Sequence, residues 1–201
     1  MLRNILIVLL FSIFTLCAFG QKAEYIGTNK CKSCHNKEEK GAQYKIWSEG
    51  KHAKAFETLK SEQAVEVAKK LGLTEAPHES PKCLGCHTTG YEKGGYEVIT
   101  DEAFWNPAKD DKEGKKAKKR MLGLQGVGCE ACHGAGSLYK GKKDMAAVFN
   151  GEKAGADVGL LEVTEETCKE CHNEKSPTFK AFDYAKQLDE IKHPYPEGMK
   201  K

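Results

Sequence analysis

Apolar residues recur at helical spacing in several separate stretches of this chain, with charged residues in the positions between them. The predicted helices cover residues 38–48, 51–71, 144–149, 165–173 and 182–192. Gly50 divides the first two helices, and Gly72 ends the second. Only residues 96–99 fit a short strand. The pattern therefore predicts a mainly α fold with very little β structure.

Residues 1–20 differ from the rest of the chain and resemble a secretory signal peptide. Arg3 supplies the positive start, residues 5–16 are mostly apolar, and small residues stand just before Gln21. The apolar run is short for a membrane span. We therefore expect export to the periplasm, with residues 21–201 as one mature domain.

The cysteines indicate a cofactor, because eight of the nine lie in four copies of Cys-x-x-Cys-His. The copies are Cys31, Cys34 and His35; Cys83, Cys86 and His87; Cys129, Cys132 and His133; and Cys168, Cys171 and His172. Two thiols at this spacing can bond the two vinyl groups of one haem, and the adjoining imidazole then ligates the iron. Zinc ribbons and redox-active Cys-x-x-Cys pairs need no His directly after the second Cys. The motifs predict four covalently attached haem c groups.

The ninth cysteine, Cys17, lies in the predicted signal peptide. A lipoprotein signal is the alternative use of Cys17, but a lipid-modified Cys normally follows a small residue, and here it follows Leu16. Cleavage before Gln21 leaves no thiol for a disulfide, a zinc site or a nucleophile. With 39% hydrophobic residues, the chain is expected to wrap four haems as its core and not to build a broad aliphatic one.

Three histidines remain outside the motifs and are candidates for the distal position on haem iron: His52, His78 and His193. Imidazole is a common second axial ligand of haem. His52 falls at the start of the predicted helix 51–71, and His193 directly follows the predicted helix 182–192. His78 lies on a loop with two prolines.

Taken together, these features resemble the tetrahaem cytochrome c-554 family, which is best characterised as electron carriers in ammonia-oxidising bacteria. The matching pieces are Trp47 with residues 52–55, residues 83–91 with 93–96, residues 126–136, and the fourth motif with His193. The resemblance implies a mainly helical fold with four closely spaced haems. It also implies two His ligands on three haems and a five-coordinate haem on the second motif.

The chain departs from the family at one ligand. The family takes the distal His of its first haem from shortly after the third motif, where this sequence reads Gly-Lys-Lys-Asp at 141–144. We predict that the imidazole of His78 replaces it. The alternatives are a second open haem, Met145, or Lys143, which could bind iron only as the free amine.

Charge limits the range of partners. The chain has a formal charge of +3, which falls to +2 without Arg3, and eight haem propionates bring it to about −6. Nucleic acid is therefore not expected as a partner. Residues 109–120 contain seven basic and three acidic side chains. We interpret them as a solvated loop, with a docking patch for an acidic redox partner or a counter-charge for propionates as alternatives.

The sequence thus predicts an electron carrier that exchanges electrons with redox partner proteins and reaches membranes only through them. An enzyme that reduces nitric oxide or another small nitrogen species at the five-coordinate haem is the first alternative. A subunit of a conductive haem filament, with a distal His from the neighbouring chain, is the second. No catalytic residue is assigned.

Overall fold

The computed structural model describes residues 21–195, so the predicted signal peptide lies outside the described residues. Short helices joined by turns make up this part of the chain. The helices are α1 Lys32–His35, α2 Gln43–Glu49, α3 Ala55–Thr58, α4 Glu62–Lys70, α5 Pro81–His87, α6 Glu102–Trp105, α7 Lys112–Leu122, α8 Cys129–His133, α9 Lys142–Phe149, α10 Glu165–Lys169 and α11 Tyr184–Ile191. No helix within 21–195 has the length and apolar character needed to cross a membrane.

Each Cys-x-x-Cys-His motif lies on a helical turn. The second and third motifs fall inside α5 and α8, and the first occupies α1 with Cys31 as its N-cap. The fourth begins in α10, and the His172 N–H still donates to the Cys168 carbonyl at 2.9 Å, which extends the turn. Cysteine and histidine side chains four residues apart therefore share a face in each motif.

The cluster of buried apolar side chains is small and gathers around α5. Its members are Phe56, Leu59, Leu84, Tyr96, Met121 and Leu124. Leu84, between the two cysteines of the second motif, is fully buried. The apolar core thus packs directly against the second motif.

Thr89 joins the second motif to the third. Its N–H donates to the Leu124 carbonyl at 2.9 Å, and its hydroxyl donates to the Gly126 carbonyl at 2.8 Å. The same hydroxyl accepts from the Gly128 N–H at 2.8 Å. Because Thr89 is fully buried, these bonds are shielded from water and fix the approach to Cys129.

The mainly α prediction is confirmed, but the predicted helix over 51–71 is wrong in detail. The structure has a 3-10 turn at His52–Lys54, then α3 and α4 as separate helices. The Ser61 side chain accepts a hydrogen bond from the Ala64 N–H and caps α4. This start signal, a Ser followed by helix-forming residues, interrupts the apolar periodicity that suggested one helix.

Residues 109–120 form most of α7, so their interpretation as a loop is wrong. The Asp111 side chain caps the helix by accepting from the Gly114 N–H at 2.8 Å. Lys, Ala and Arg all favour the helix, and the end of α7 buries Met121. Net charge favoured a loop over residues 109–120, whereas helix propensity and the Asp111 cap favour the helix.

Residues 96–99 do not form the predicted strand. The Tyr96 N–H donates to the Thr89 carbonyl at 2.9 Å, and the Glu97 N–H contacts the Met121 sulfur at 3.4 Å. Within the described range, bridge pairing is limited to Thr88 and Gln125. The segment lacks the continuous ladder that a strand needs, because Tyr96 turns into the apolar cluster. The helix predicted over 165–173 is also shorter, ending at Lys169.

Candidate haem-binding sites

Within the described residues none of the eight motif cysteines forms a disulfide. Seven are partly buried, and Cys34 is exposed. Such thiols can reach a group lying on the helix surface, as two thioether bonds to one porphyrin require.

His52 lies beside His172 of the fourth motif, with ring centroids 6.0 Å apart and an interplanar angle of 70°. The His52 carbonyl accepts from the Val127 N–H at 2.9 Å, and the Trp47 indole N–H donates to the Val127 carbonyl at 2.8 Å. These bonds hold the turn that carries His52. Burial lowers the pKa of His52, and the nearby His172 lowers it further.

His193 lies beside His133 of the third motif, with ring centroids 6.0 Å apart and an interplanar angle of 44°. It follows α11, whose N-terminus is capped by the Asp183 side chain. Burial lowers the pKa of His193. Burial also lowers the pKa of His133, and the nearby His193 and His35 lower it further. Both rings are thus kept neutral, the form that ligates iron.

These two pairs fit a six-coordinate haem iron. Two metal–nitrogen bonds of about 2 Å, with the inner halves of two imidazole rings, separate ring centroids by about 6 Å. The observed centroid distance in both pairs is 6.0 Å. This distance is compatible with one metal atom between the two rings of each pair.

His87 of the second motif has a different environment. Its Nδ1 lies 2.7 Å from the Ala55 carbonyl oxygen, so Nδ1 carries the proton and donates. This bond leaves Nε2 free as the ligating nitrogen and fixes the ring orientation. Within residues 21–195 no second imidazole ring packs against His87, in contrast to His133 and His172.

His35 of the first motif is oriented by Gln43, whose Oε1 lies 3.3 Å from Nδ1. The Gln43 amide nitrogen donates to the Lys40 and Pro194 carbonyls, so Oε1 is the end that faces His35. The first site is thereby tied to the residue next to His193. Sequence reasoning missed Gln43, because no local pattern marks a side chain that contacts residues so distant along the chain.

The structure does not pair the remaining candidate ligands with His35. His78 is half-buried in the turn that leads into α5, next to the second motif. Ring contacts between His78 and another histidine are absent from the described part of the chain. On α9, Lys143 is exposed and Met145 half-buried.

The motifs lie next to one another in a different order from the sequence. The Cys31 and Cys129 thiols interact directly, which lowers the pKa of Cys31. The Cys171 thiol lowers the pKa of Cys86 to about 7. Burial raises the pKa of Cys132, and its neighbour Cys168 adds to that rise. Direct contacts give the same neighbours: Glu24 with Ser137, His52 with Val127 and His172, and Lys93 with Glu170. The motifs are thus connected in the order first, third, fourth, second.

Comparison with known proteins identifies the family. The sequence profile of the family described as cytochrome c554 and c-prime matches residues 30–107 and 105–134, which together make up just over half of the chain.

The chain belongs to this family.

Two relatives of the family can be compared in detail. Cytochrome c-554 of Nitrosomonas europaea is 32% identical in an alignment covering 81% of this chain and 63% of that protein. The solved structure of reduced cytochrome c554 from Nitrosomonas europaea matches with a TM-score of 0.58 at 27% identity, covering 89% of this chain and 90% of that chain. The chain thus spans a little under two thirds of the curated relative's length.

Membership of the cytochrome c554 family confirms the predicted resemblance, the mainly helical fold and the cofactors. The chain is a c-type cytochrome with four covalently attached haem c groups. The motif thiols and the adjoining histidines would hold these groups. The His52–His172 and His193–His133 pairs fit the haem iron at the fourth and third motifs.

Proposed function

We propose that this protein is a periplasmic electron carrier that passes electrons between redox partner proteins. Contacts between the motif segments carry the proposal. Glu24 before the first motif bonds Ser137 after the third, and His52 contacts both Val127 before the third motif and His172 of the fourth. Lys93 after the second motif pairs with Glu170 of the fourth. Haem iron, when bound, supplies one-electron chemistry. The chain's own part is to hold four such groups in sequence without a mobile cofactor.

The proposed distal ligands follow the two ring pairs. His193 serves the third motif and His52 the fourth, at the centre of the spatial order. His193 with His133, and His52 with His172, would hold the iron from two sides and leave it no free position for a substrate, so these two sites would only relay electrons. The first and second motifs stand at the two ends, where partners would dock.

Stopped-flow spectroscopy tests this proposal on the holoprotein. Fully reduced protein is mixed with an excess of an oxidised blue-copper protein, which has no haem bands, and the loss of the reduced haem bands is followed. We expect all four haems to be reoxidised, because they form one connected series. Reoxidation of only one or two haems would contradict a continuous path through the four motifs.

Binding of a small ligand at the second motif is the second candidate function. It is favoured by His87, which has an oriented ring and no imidazole opposite it within the described residues. Carbon monoxide titration of the reduced protein tests it. One molecule bound per protein is expected, and unchanged spectra would exclude both this site and a reductase activity. Two molecules would show that the first site is open as well.

A further inference from the structure

Glu130 is a buried carboxylate inside the third motif, between Cys129 and Cys132. Its side chain is 1% exposed and accepts hydrogen bonds from three backbone N–H groups. Oε1 accepts from Ile26 at 2.9 Å and Gly136 at 2.7 Å, and Oε2 accepts from Gly27 at 2.7 Å. Within the described residues no Lys or Arg pairs with it. A buried carboxylate is costly unless such donors satisfy it.

The three donors come from two different parts of the site. Ile26 and Gly27 lead into the first motif at Cys31, and Gly136 follows His133 of the third motif. Gly27 has a φ of +86°, and a Cβ there would meet the Arg120 carbonyl oxygen at 2.9 Å, so the backbone fits closely at this point. The Glu130 carboxylate therefore connects the segment just before the first motif, at Ile26 and Gly27, to the segment just after the third motif, at Gly136.

Neighbouring contacts repeat the same connection. The Glu24 N–H donates to the Ser137 hydroxyl at 2.8 Å, and the Ser137 N–H donates to the Glu24 carbonyl at 3.1 Å. The Cys31 and Cys129 thiols also interact. The chain segments around the first and third motifs thus meet along one line of contacts with Glu130 in the middle.

We propose that Glu130 is the positioning residue for the first and third haem sites. Its carboxylate fixes the separation of the two motifs, and its negative charge lowers the reduction potentials of the two haems relative to a neutral side chain. The inference rests on haem attachment at these motifs and holds whether the protein carries electrons or reduces a small ligand.

Glu170 provides a matched control, because it stands between the two cysteines of the fourth motif. There the carboxylate is 66% exposed and pairs with Lys93 at 3.3 Å. Its charge is screened by solvent, and the contact is that of an ordinary surface ion pair. Glu130→Gln and Glu170→Gln thus make the same chemical change between the two cysteines of a motif with opposite burial, although Glu130 follows the first Cys and Glu170 precedes the second.

Two measurements on the four-haem holoproteins test the proposal. In E130Q, redox titration is expected to show two of the four potentials shifted upward, because a buried negative charge is lost. Hydrogen exchange in the peptide covering residues 21–30 is expected to be faster at Ile26 and Gly27 by about tenfold or more, the effect of losing a hydrogen bond to a charged group. E170Q should resemble wild type in both. If E130Q keeps the four reduction potentials of the wild type and its rate of hydrogen exchange at Ile26 and Gly27, the proposal is overturned.

Gly136→Ala is a milder second variant, and it keeps the charge. An added Cβ would lie 3.0 Å from Glu130 Oε1 and 3.2 Å from the Ile26 Cδ1 atom, so the carboxylate must shift. Faster exchange at residues 26 and 27 with all four haems retained is expected. If E130Q does not accumulate with four haems, unchanged exchange in G136A overturns the proposal by itself. Missing haem bands in the wild type would instead contradict the proposed function.

Discussion

At the scale of single residues, the four proximal histidines differ in what surrounds them. His133 and His172 each face a second imidazole at 6.0 Å, whereas His87 donates to the Ala55 carbonyl and His35 contacts Gln43. Phe182 also stacks on His172, with ring centroids 4.9 Å apart. Because the axial ligand and its hydrogen-bond partner set the properties of a haem iron, four identical motifs give inequivalent sites.

Replacing His52 by Ala should convert one low-spin haem to high-spin, because the ring opposite His172 is lost. Electron paramagnetic resonance of the oxidised protein measures the spin states, and the reduced variant should bind one more carbon monoxide than wild type. His193→Ala should do the same for the third site. Unchanged spin states in either variant would remove that histidine from the ligand set.

The role of His78 is decided by the same measurement. The sequence predicts it as the distal ligand of the first haem, so His78→Ala should create a new high-spin signal. His78 lies in the turn before α5, and its ring is not paired with His35 in the described residues. A spectrum identical to wild type would exclude His78 as the distal ligand of the first haem. The remaining possibilities would be Lys143, Met145 or no distal ligand.

At the scale of helices, α7 combines an exposed basic face with a buried end. Lys115 and Lys119 are exposed, and together with Lys118 and Leu122 they line a groove of about 450 Å³. The Asn29 side chain donates to the Lys119 carbonyl at 2.6 Å, two residues before Cys31. The helix thus brings positive charge next to the first motif, at one end of the spatial order.

Reversing the charge of this face should slow electron exchange with an acidic partner. We expect the double variant Lys115→Glu, Lys119→Glu to react at least about tenfold more slowly with photoreduced flavodoxin at low salt, because electrostatic steering is lost. The matched control reverses Lys69 and Lys70 on α4, which are also exposed. Equal rates in both double variants, or a rate insensitive to salt in wild type, would show that α7 is not the docking face.

The end of α7 gives a separate prediction about stability. Leu124 is fully buried in the apolar cluster, while Leu122 two residues earlier is 46% exposed. Leu124→Ala should lower the free energy of unfolding by about 2–5 kcal/mol, because it leaves a cavity. Leu122→Ala should change it by less than about 0.5 kcal/mol. Chemical denaturation of the two holoproteins, followed by circular dichroism, measures the difference.

At the scale of the whole molecule, the polypeptide has little apolar core of its own. The fully or nearly buried apolar side chains of the described chain are Phe56, Leu59, Ala68, Leu84, Tyr96, Met121, Leu124, Tyr139 and Val158. A chain of this size normally needs a much larger set to offset the conformational entropy of folding. The haems therefore complete the core.

The haem-free chain should consequently lack cooperative unfolding. Protein produced without haem attachment is expected to show weak helical circular dichroism and a broad, non-cooperative thermal transition. The holoprotein, measured as the control, should give a single sharp transition. A haem-free chain that unfolds as sharply as the holoprotein would contradict a core built from haem.

Chemistry that depends on short spacing along the chain could be predicted from the sequence. Two cysteines and a histidine within five residues stay close together however the rest of the chain packs, so four copies of the motif were enough to predict four haem sites. The mainly α character followed from apolar periodicity. Because these properties are local, they can be predicted without knowing how the chain packs.

Tertiary structure alone decided how the sites are combined. It paired His52 with His172 and His193 with His133, placed the motifs in the order first, third, fourth, second, and buried Glu130 while leaving Glu170 exposed. Each of these depends on contacts between residues far apart in the chain. No short-range spacing encodes such contacts, because they are set by how the segments around Thr89, Glu130 and α7 pack together.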